Sequence, residues 1–333
     1  FNGQCALAVG ARVAIDHIIE HNHRLVTASS GPEALEGAMR YLLVALAGST
    51  AYLAGVAFLY RDSGTLDLAL AADTVGPAGW FGLALMSVGL MAKGALFPLH
   101  AWLPPAHAAA PAPGSALLSG LVVKAAIYIL VRFWLELEPA PETARQLLGL
   151  LGAGAVIWGS LLALRQARLK LVVAYSTVAQ LGYLLLLFPL AVAPWAAEAF
   201  AGGIWLALAH AFAKGAMFLA AGLVMVGLGH DRIAGMGGLA RHAPMTVFTL
   251  ALAGVTLMGL PPSGGFVAKW LLLEAAIGSG QWLWALVLLG GGLLAAGYTF
   301  RILAATLGEV LFAAERLVHL IGLVLDAGAH PDA

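Results

Sequence analysis

Lys93-Gly94-Ala95-Leu96-Phe97-Pro98-Leu99-His100-Ala101-Trp102-Leu103-Pro104 sets a lysine and a proline inside an oily segment. Gly259-Leu260-Pro261-Pro262-Ser263-Gly264-Gly265-Phe266-Val267-Ala268-Lys269-Trp270 does so again in the second half of the chain. A lysine at the centre of a bilayer costs about 2.5–3.5 kcal/mol even on insertion scales, and marks a functional position by default. A proline in a membrane helix frees backbone carbonyls, which must then face protein or a wet cavity. Pro98 and the pair Pro261-Pro262 are therefore read as helix breaks. Charge plus break, once in each half, is the pattern of an ion transporter assembled from repeats.

Composition agrees. Of 333 residues, 61% are hydrophobic and 10% charged, against roughly 25% charged in soluble domains. With a mean hydropathy of +0.91, the chain reads as an all-α, polytopic membrane protein whose partners include the lipid bilayer. A transmembrane β-barrel is excluded, because its segments would be about 10 residues of alternating character. Seventeen basic and seventeen acidic residues cancel, so no nucleic-acid partner is expected. Cys5 is the one cysteine, which gives no metal or iron–sulfur site. No cofactor is expected on this chain, and redox chemistry would belong to partner subunits.

Residues 1–34 differ from the rest, with the polar run Asp16-His17-Ile18-Ile19-Glu20-His21-Asn22-His23-Arg24. They read either as a divergent terminus or as the edge of a fragment or a frame error. Residues 35–306 form the membrane domain, and 307–333 are a C-terminal segment with room for one more helix at 309–326. The 77–97 segment is expected to continue through Pro98 as a broken helix, and 244–278 to be one helix broken at Pro261-Pro262. Arg165, Arg168 and Lys170 lie in one predicted loop, and Arg232 and Arg241 in another. The positive-inside rule makes loops 165–170 and 229–243 cytoplasmic, and alternation adds 98–112.

Lys93, Lys124, Lys214 and Lys269 all fall within oily segments. Pairing with carboxylates could explain one such lysine more readily than four. A desolvated lysine releases its proton more easily, so a series bridged by water would relay protons. His210 and Lys214 share a helical face at i, i+4. His100 and His107 are candidate groups for loading protons from the cytoplasm, against the plainer reading of polar residues at a membrane edge. Ser176, Thr177 and Gln180 can orient water or pack helices. Glu274 either pairs with Lys269 or reaches the interface.

At these residues the chain resembles the antiporter-like subunits of respiratory complex I (NADH:quinone oxidoreductase), and the related subunits of Mrp-type cation/proton antiporters and membrane-bound hydrogenases. The likeness is carried by Lys93–Pro104, Ala112–Gly120, Lys170–Thr177, His210–Lys214, Gly235–Leu239 and Gly259–Trp270. It implies a partial fourteen-helix antiporter-like fold with inverted repeats and two broken helices. It further implies proton-transfer roles for Lys93, Lys124 and Lys269, and titratable positions at His210 and Lys214. His100 matches a histidine of the first broken segment. The family's glutamate partner of Lys93 has no match, since the stretch around 10–20 offers only Asp16 and Glu20. Gln180 and Lys269 lean toward the Mrp and hydrogenase relatives. The expectation is a proton-translocating subunit in a multi-subunit bacterial inner-membrane complex, not catalytic by itself. It would be driven by a redox partner or, alternatively, exchange sodium. A structural subunit that does not transport is the remaining alternative.

Overall fold

The computed structural model describes residues 32–328 apart from 73 and 137–140; the side chains of 32–34, 69, 72, 135–136 and 309–328 fall outside the description. The atypical segment at 1–34 therefore lies almost wholly outside the described residues. Among the described residues there is no β-strand, only an isolated antiparallel bridge between Arg168 and Arg232. Six helices there are long and apolar enough to cross a membrane.

In chain order the helices are α1 (Pro32–Ser63), α2 (Leu68–Ala72), α3 (Pro77–Lys93), α4 (Leu103–Ala109) and α5 (Ala112–Leu117), which runs through a π-turn (Leu118–Val122) into α6 (Val123–Glu136). Then come α7 (Glu142–Arg165), α8 (Leu169–Leu185), α9 (Leu187–Leu190), α10 (Ala196–Leu228), α11 (Leu239–His242), α12 (Pro244–Met258), α13 (Gly264–Gly278) and α14 (Trp282–Gly328). The expected separate helix at 309–326 is instead the continuation of α14.

Local chemistry sets the ends. Asp62 at the end of α1 accepts hydrogen bonds from the backbone N–H groups of Gly76 and Gly79 at 2.6 and 2.8 Å, satisfying donors that a helix start leaves free. Ser263 caps α13 by accepting from Phe266 N at 3.2 Å. α12 stops at Gly259, whose φ of +80° suits a residue without a Cβ.

The bundle is apolar outward and keeps a small set of polar side chains inside an apolar core. α10 exposes Leu208, Phe212, Leu219, Leu223 and Val226 on one side and buries His210, Lys214, Met217, Ala221 and Val224 on the other. The first face suits a lipid surround and the second the core. α8 is the central helix, with nearly every residue from Leu169 to Leu185 buried. α1 and α3 cross closely: a Cβ on Gly48 would lie 2.9 Å from the Gly89 carbonyl oxygen, the small-residue approach typical of membrane helices.

Both ends of the bundle are tied, in different ways. At one rim Arg168 pairs with Asp231 at 2.9 Å, and Ile233 N donates to Ala167 O at 2.9 Å. Leu169 N donates to Asp231 O at 2.7 Å. Arg301 of α14 donates to the carbonyls of Leu164 and Gln166, at the end of α7. At the other rim Gln281 donates to Pro189 O at 2.8 Å and accepts from the Trp284 indole at 2.9 Å, near the pair of Arg145 with Glu142 at 3.0 Å within α7.

The expected loop at 98–112 is not a loop. It folds into the bundle as α4 with its flanking turns, burying Trp102, Leu103, Ala106 and His107. Its prolines and histidines read as polar punctuation in sequence, but the Trp102 indole and apolar neighbours need a core. The segment does meet the 165–170 and 229–243 loops at the charged rim, since Lys170 donates to Ala110 O at 3.0 Å. The first break also starts before Pro98: α3 ends at Lys93, and Ala95 already has φ of +51°.

Candidate functional site

The second break makes one half of the site. Once α12 ends at Met258, the carbonyls of Leu257 and Met258 have no helical N–H to accept from. Lys269, 8% exposed on α13, donates to them at 2.8 and 3.2 Å, and its ammonium sits 4.5 Å from the centre of the Tyr183 ring. The C-terminal end of a helix carries partial negative charge, and the ring adds a cation–π contact. Gln180 of α8 donates to the same Leu257 carbonyl at 3.1 Å. Glu274 is exposed, so it is an interface residue rather than the partner of Lys269.

The first break is satisfied differently. The Trp102 indole donates to Ala92 O at 2.8 Å, while Lys93 closes the last turn of α3 near Gly48. His100 stacks on Phe97 with ring centres 5.5 Å apart.

The other half of the site is built around the middle of α8. Lys214, fully buried on α10, donates to Val173 O at 3.0 Å and to Ser176 Oγ at 2.5 Å. The Val173 carbonyl also accepts from Thr177 Oγ1 at 3.0 Å. Thr177 in turn shares a 2.9 Å hydrogen bond with Ser119 of the π-turn. Lys124 donates to the Ser119 carbonyl at 2.6 Å. A π-turn widens the helix by one residue, and here it lets a lysine reach a carbonyl five positions back. Lys124 and Lys214, 90 positions apart in sequence, are thus joined through Ser119, Thr177 and Val173 by short polar contacts.

His210 lies one turn before Lys214 and within electrostatic reach of Lys124 and Lys214. It is buried, and neither ring nitrogen is hydrogen-bonded to protein. His107 is equally enclosed, stacked on Phe218 with ring centres 4.4 Å apart. Neither His100 nor His107 lies open at a membrane edge. Among the described residues no group of three or more His, Cys, Asp or Glu is placed to hold a metal.

The structure therefore brings Lys124, His210 and Lys214 into one neighbourhood and sets Lys269 a helical turn along α8 from it, through Gln180. What the sequence left unresolved is the part α8 plays. Lys170, Val173, Ser176, Thr177, Gln180 and Tyr183 recur at three- and four-residue steps, which is one helical face. That spacing was the signal available in the sequence. Lys170, counted there as a loop charge, is 7% exposed.

The comparisons with known proteins fit this geometry. A family model described as "NADH:quinone oxidoreductase/Mrp antiporter, TM" matches residues 25–295. NADH-quinone oxidoreductase subunit N of Desulforudis audaxviator is 34% identical over 284 residues, covering 83% of this chain and 56% of that protein. A chain of the membrane-bound sulfane sulfur reductase, an archaeal respiratory membrane complex, superposes with a TM-score of 0.82 at 29% identity. The match covers 95% of this chain and 68% of that one. A chain of the Mrp complex from Dietzia sp. DQ12-45-1b gives 0.81 at 28% identity, over 88% of this chain and 55% of that one. The chain spans a little over half the length of the curated relatives it matches.

Proposed function

The chain belongs to the NADH:quinone oxidoreductase/Mrp antiporter membrane family, and on that footing we propose that it carries protons across a bilayer as one subunit of a larger complex. The observation that supports this best is the polar connection from Lys124 through Ser119, Thr177 and Val173 to Lys214 in an otherwise apolar interior. A buried lysine sheds its positive charge more readily than one in water, so each lysine in the series can hold or pass a proton. Charge at Lys93 and Lys124 would favour release from Lys214 and His210, and then from Lys269, by repulsion between neighbouring cations. Lys269 would be the last station, its proton leaving at the rim away from Arg168 and Asp231. That charged rim would face the cytoplasm of a bacterial inner membrane. Any redox chemistry, with its cofactors, would reside in partner subunits.

The test is proton translocation by the native complex reconstituted in vesicles, comparing wild type with Lys214→Met and Lys269→Gln. Both variants should assemble and should carry protons at least roughly tenfold more slowly, a barrier change of about 1.4 kcal/mol. Wild-type rates in both would overturn the relay. A second reading, sodium/proton exchange without a redox partner, draws on the likeness to the Mrp complex chain. It requires sodium for proton movement, whereas a redox-driven pump runs in sodium-free medium.

A further inference from the structure

Resting on the proton-carrying reading, we propose that Lys170, with Asp231 beside it, takes up protons at the charged rim and passes them by way of His107 to Lys214. Lys170 sits in the first turn of α8 yet is 7% exposed. Asp231 is also buried, at 3%. Its carboxylate spans outward and inward partners: Oδ1 accepts from Arg168, whose side chain is 36% exposed, while Oδ2 accepts from the Lys170 backbone N–H at 3.4 Å. An acid in that position draws cations and protons toward the lysine behind it.

From Lys170 the route leads inward. Its ammonium donates to Ala110 O, and Ala110 lies three residues after His107, next to α4. The His107 ring is completely buried, with both nitrogens free of protein hydrogen bonds. It stacks on Phe218, which is one turn after Lys214 on α10. Ser115 Oγ donates to the His107 carbonyl at 3.3 Å and helps to fix the turn that presents the ring. A buried polar group ordinarily finds a partner in protein or ordered water, and an imidazole can accept a proton at one nitrogen while releasing one from the other. The transfer balances: an N–H bond breaks on Lys170, one forms and one breaks on the His107 ring, one forms on the neutral Lys214 amine, and a hydronium ion at the rim then returns a proton to the Lys170 amine and is left as water. Water can bridge each gap. The step along α8 is short, because Val173, whose carbonyl accepts from Lys214, is three residues from Lys170, about 4.5 Å of helix rise.

A structural clamp would need the charge and hydrogen bond of Lys170 but not its titration. Arginine keeps the first two and cannot give up its proton, so Lys170→Arg separates the roles. In the native complex, reconstituted with the charged rim facing outward, proton uptake is read with a pH-sensitive dye. Lys170→Arg and Lys170→Gln are expected to assemble with wild-type chain content and melting temperature, yet to take up protons at least roughly tenfold more slowly. Imidazole added at that rim should restore part of the Lys170→Gln rate, because a small base can reload His107. Wild-type uptake by Lys170→Arg overturns the assignment, and so does failure of both variants to assemble, which would make Lys170 a clamp. Labelling reads water access without turnover: a membrane-impermeant amine reagent applied at the charged rim should modify Lys170 and spare Lys214 and Lys269. No modification of Lys170 overturns the proposal. If the wild-type complex carries no protons, the functional reading falls and takes this one with it; if wild type and Lys170→Arg carry them equally, only this one falls.

Discussion

Lys269 and Lys214 are held by backbone carbonyls rather than by carboxylates, and this governs how each should be substituted. Removing the Lys269 side chain altogether orphans the Met258 carbonyl and leaves the Leu257 carbonyl to Gln180 alone, at about 1–3 kcal/mol for a buried group left unpaired. Lys269→Ala therefore mixes lost transport with lost stability. Lys269→Gln keeps a donor for the Leu257 carbonyl and reads the charge alone. Thr177 is the residue whose importance is least visible from its type. Thr177→Val keeps the shape but cuts both its bond to Ser119 and its bond to Val173 O. The expected result is a stability loss of about 1 kcal/mol with proton transport slowed several-fold, measured as dye-reported uptake against a thermal melt. Unchanged transport would show that Lys124 and Lys214 communicate by some other route. The lysines were legible in the sequence because a charge inside an oily run has few innocent explanations. Lys170 was not, because it stands beside Arg165 and Arg168, and only the fold shows that its neighbour Asp231, 61 positions away, draws that stretch inward.

At the scale of elements, the two broken helices show how the same device is built twice from different parts. The first break shares its Ala92 carbonyl between the Ala95 N–H and an indole, and the second gives Leu257 and Met258 to a lysine. Both breaks were readable from proline and glycine. Their extents were not, since the first starts at Gly94-Ala95 where nothing but backbone geometry marks it. The 98–112 segment was misread as a loop for a related reason: proline and histidine signal polarity, whereas the burial of Trp102 and Leu103 depends on α1 and α8 lying alongside. The close crossing of α1 and α3 yields a direct test. Gly48→Val would press side-chain carbons against the Gly89 backbone and beside Lys93, and overpacking of this kind costs about 1–3 kcal/mol. Its melting temperature should fall, while the nearby Thr50→Val, on the exposed face of the same helix, should leave it unchanged.

Across the whole molecule, α8 carries Lys170 and is touched by both Lys214 and Lys269, and nearly all of it is buried. A polar stripe is tolerable there because each of Ser176, Thr177 and Gln180 has a protein partner. The architecture of oily outside and charged inside was legible from composition and from the two motifs. The assignment of partners was not, because Ser119 and Thr177 are 58 positions apart and sequence spacing says nothing about such contacts.

The two rims carry one more consequence. Among the described residues an ion pair between distant segments, Arg168 with Asp231, fastens one end, whereas the Gln281 amide ties segments at the other, so ionic strength acts more strongly on the first tie. At about 1 M salt the screening length shrinks to roughly 3 Å, which weakens the pair of partly exposed Arg168 with buried Asp231 more than the neutral bonds of Gln281 to Pro189 and Trp284. Backbone amides of Leu169 and Ile233 should then exchange with deuterium faster in high salt, and those of Ala191 and Trp195 should not. Equal acceleration at both rims would mean that the ionic fastening does not hold its end. If the asymmetry is found, salt becomes a means of loosening the uptake side of the subunit in the intact complex, without a single substitution.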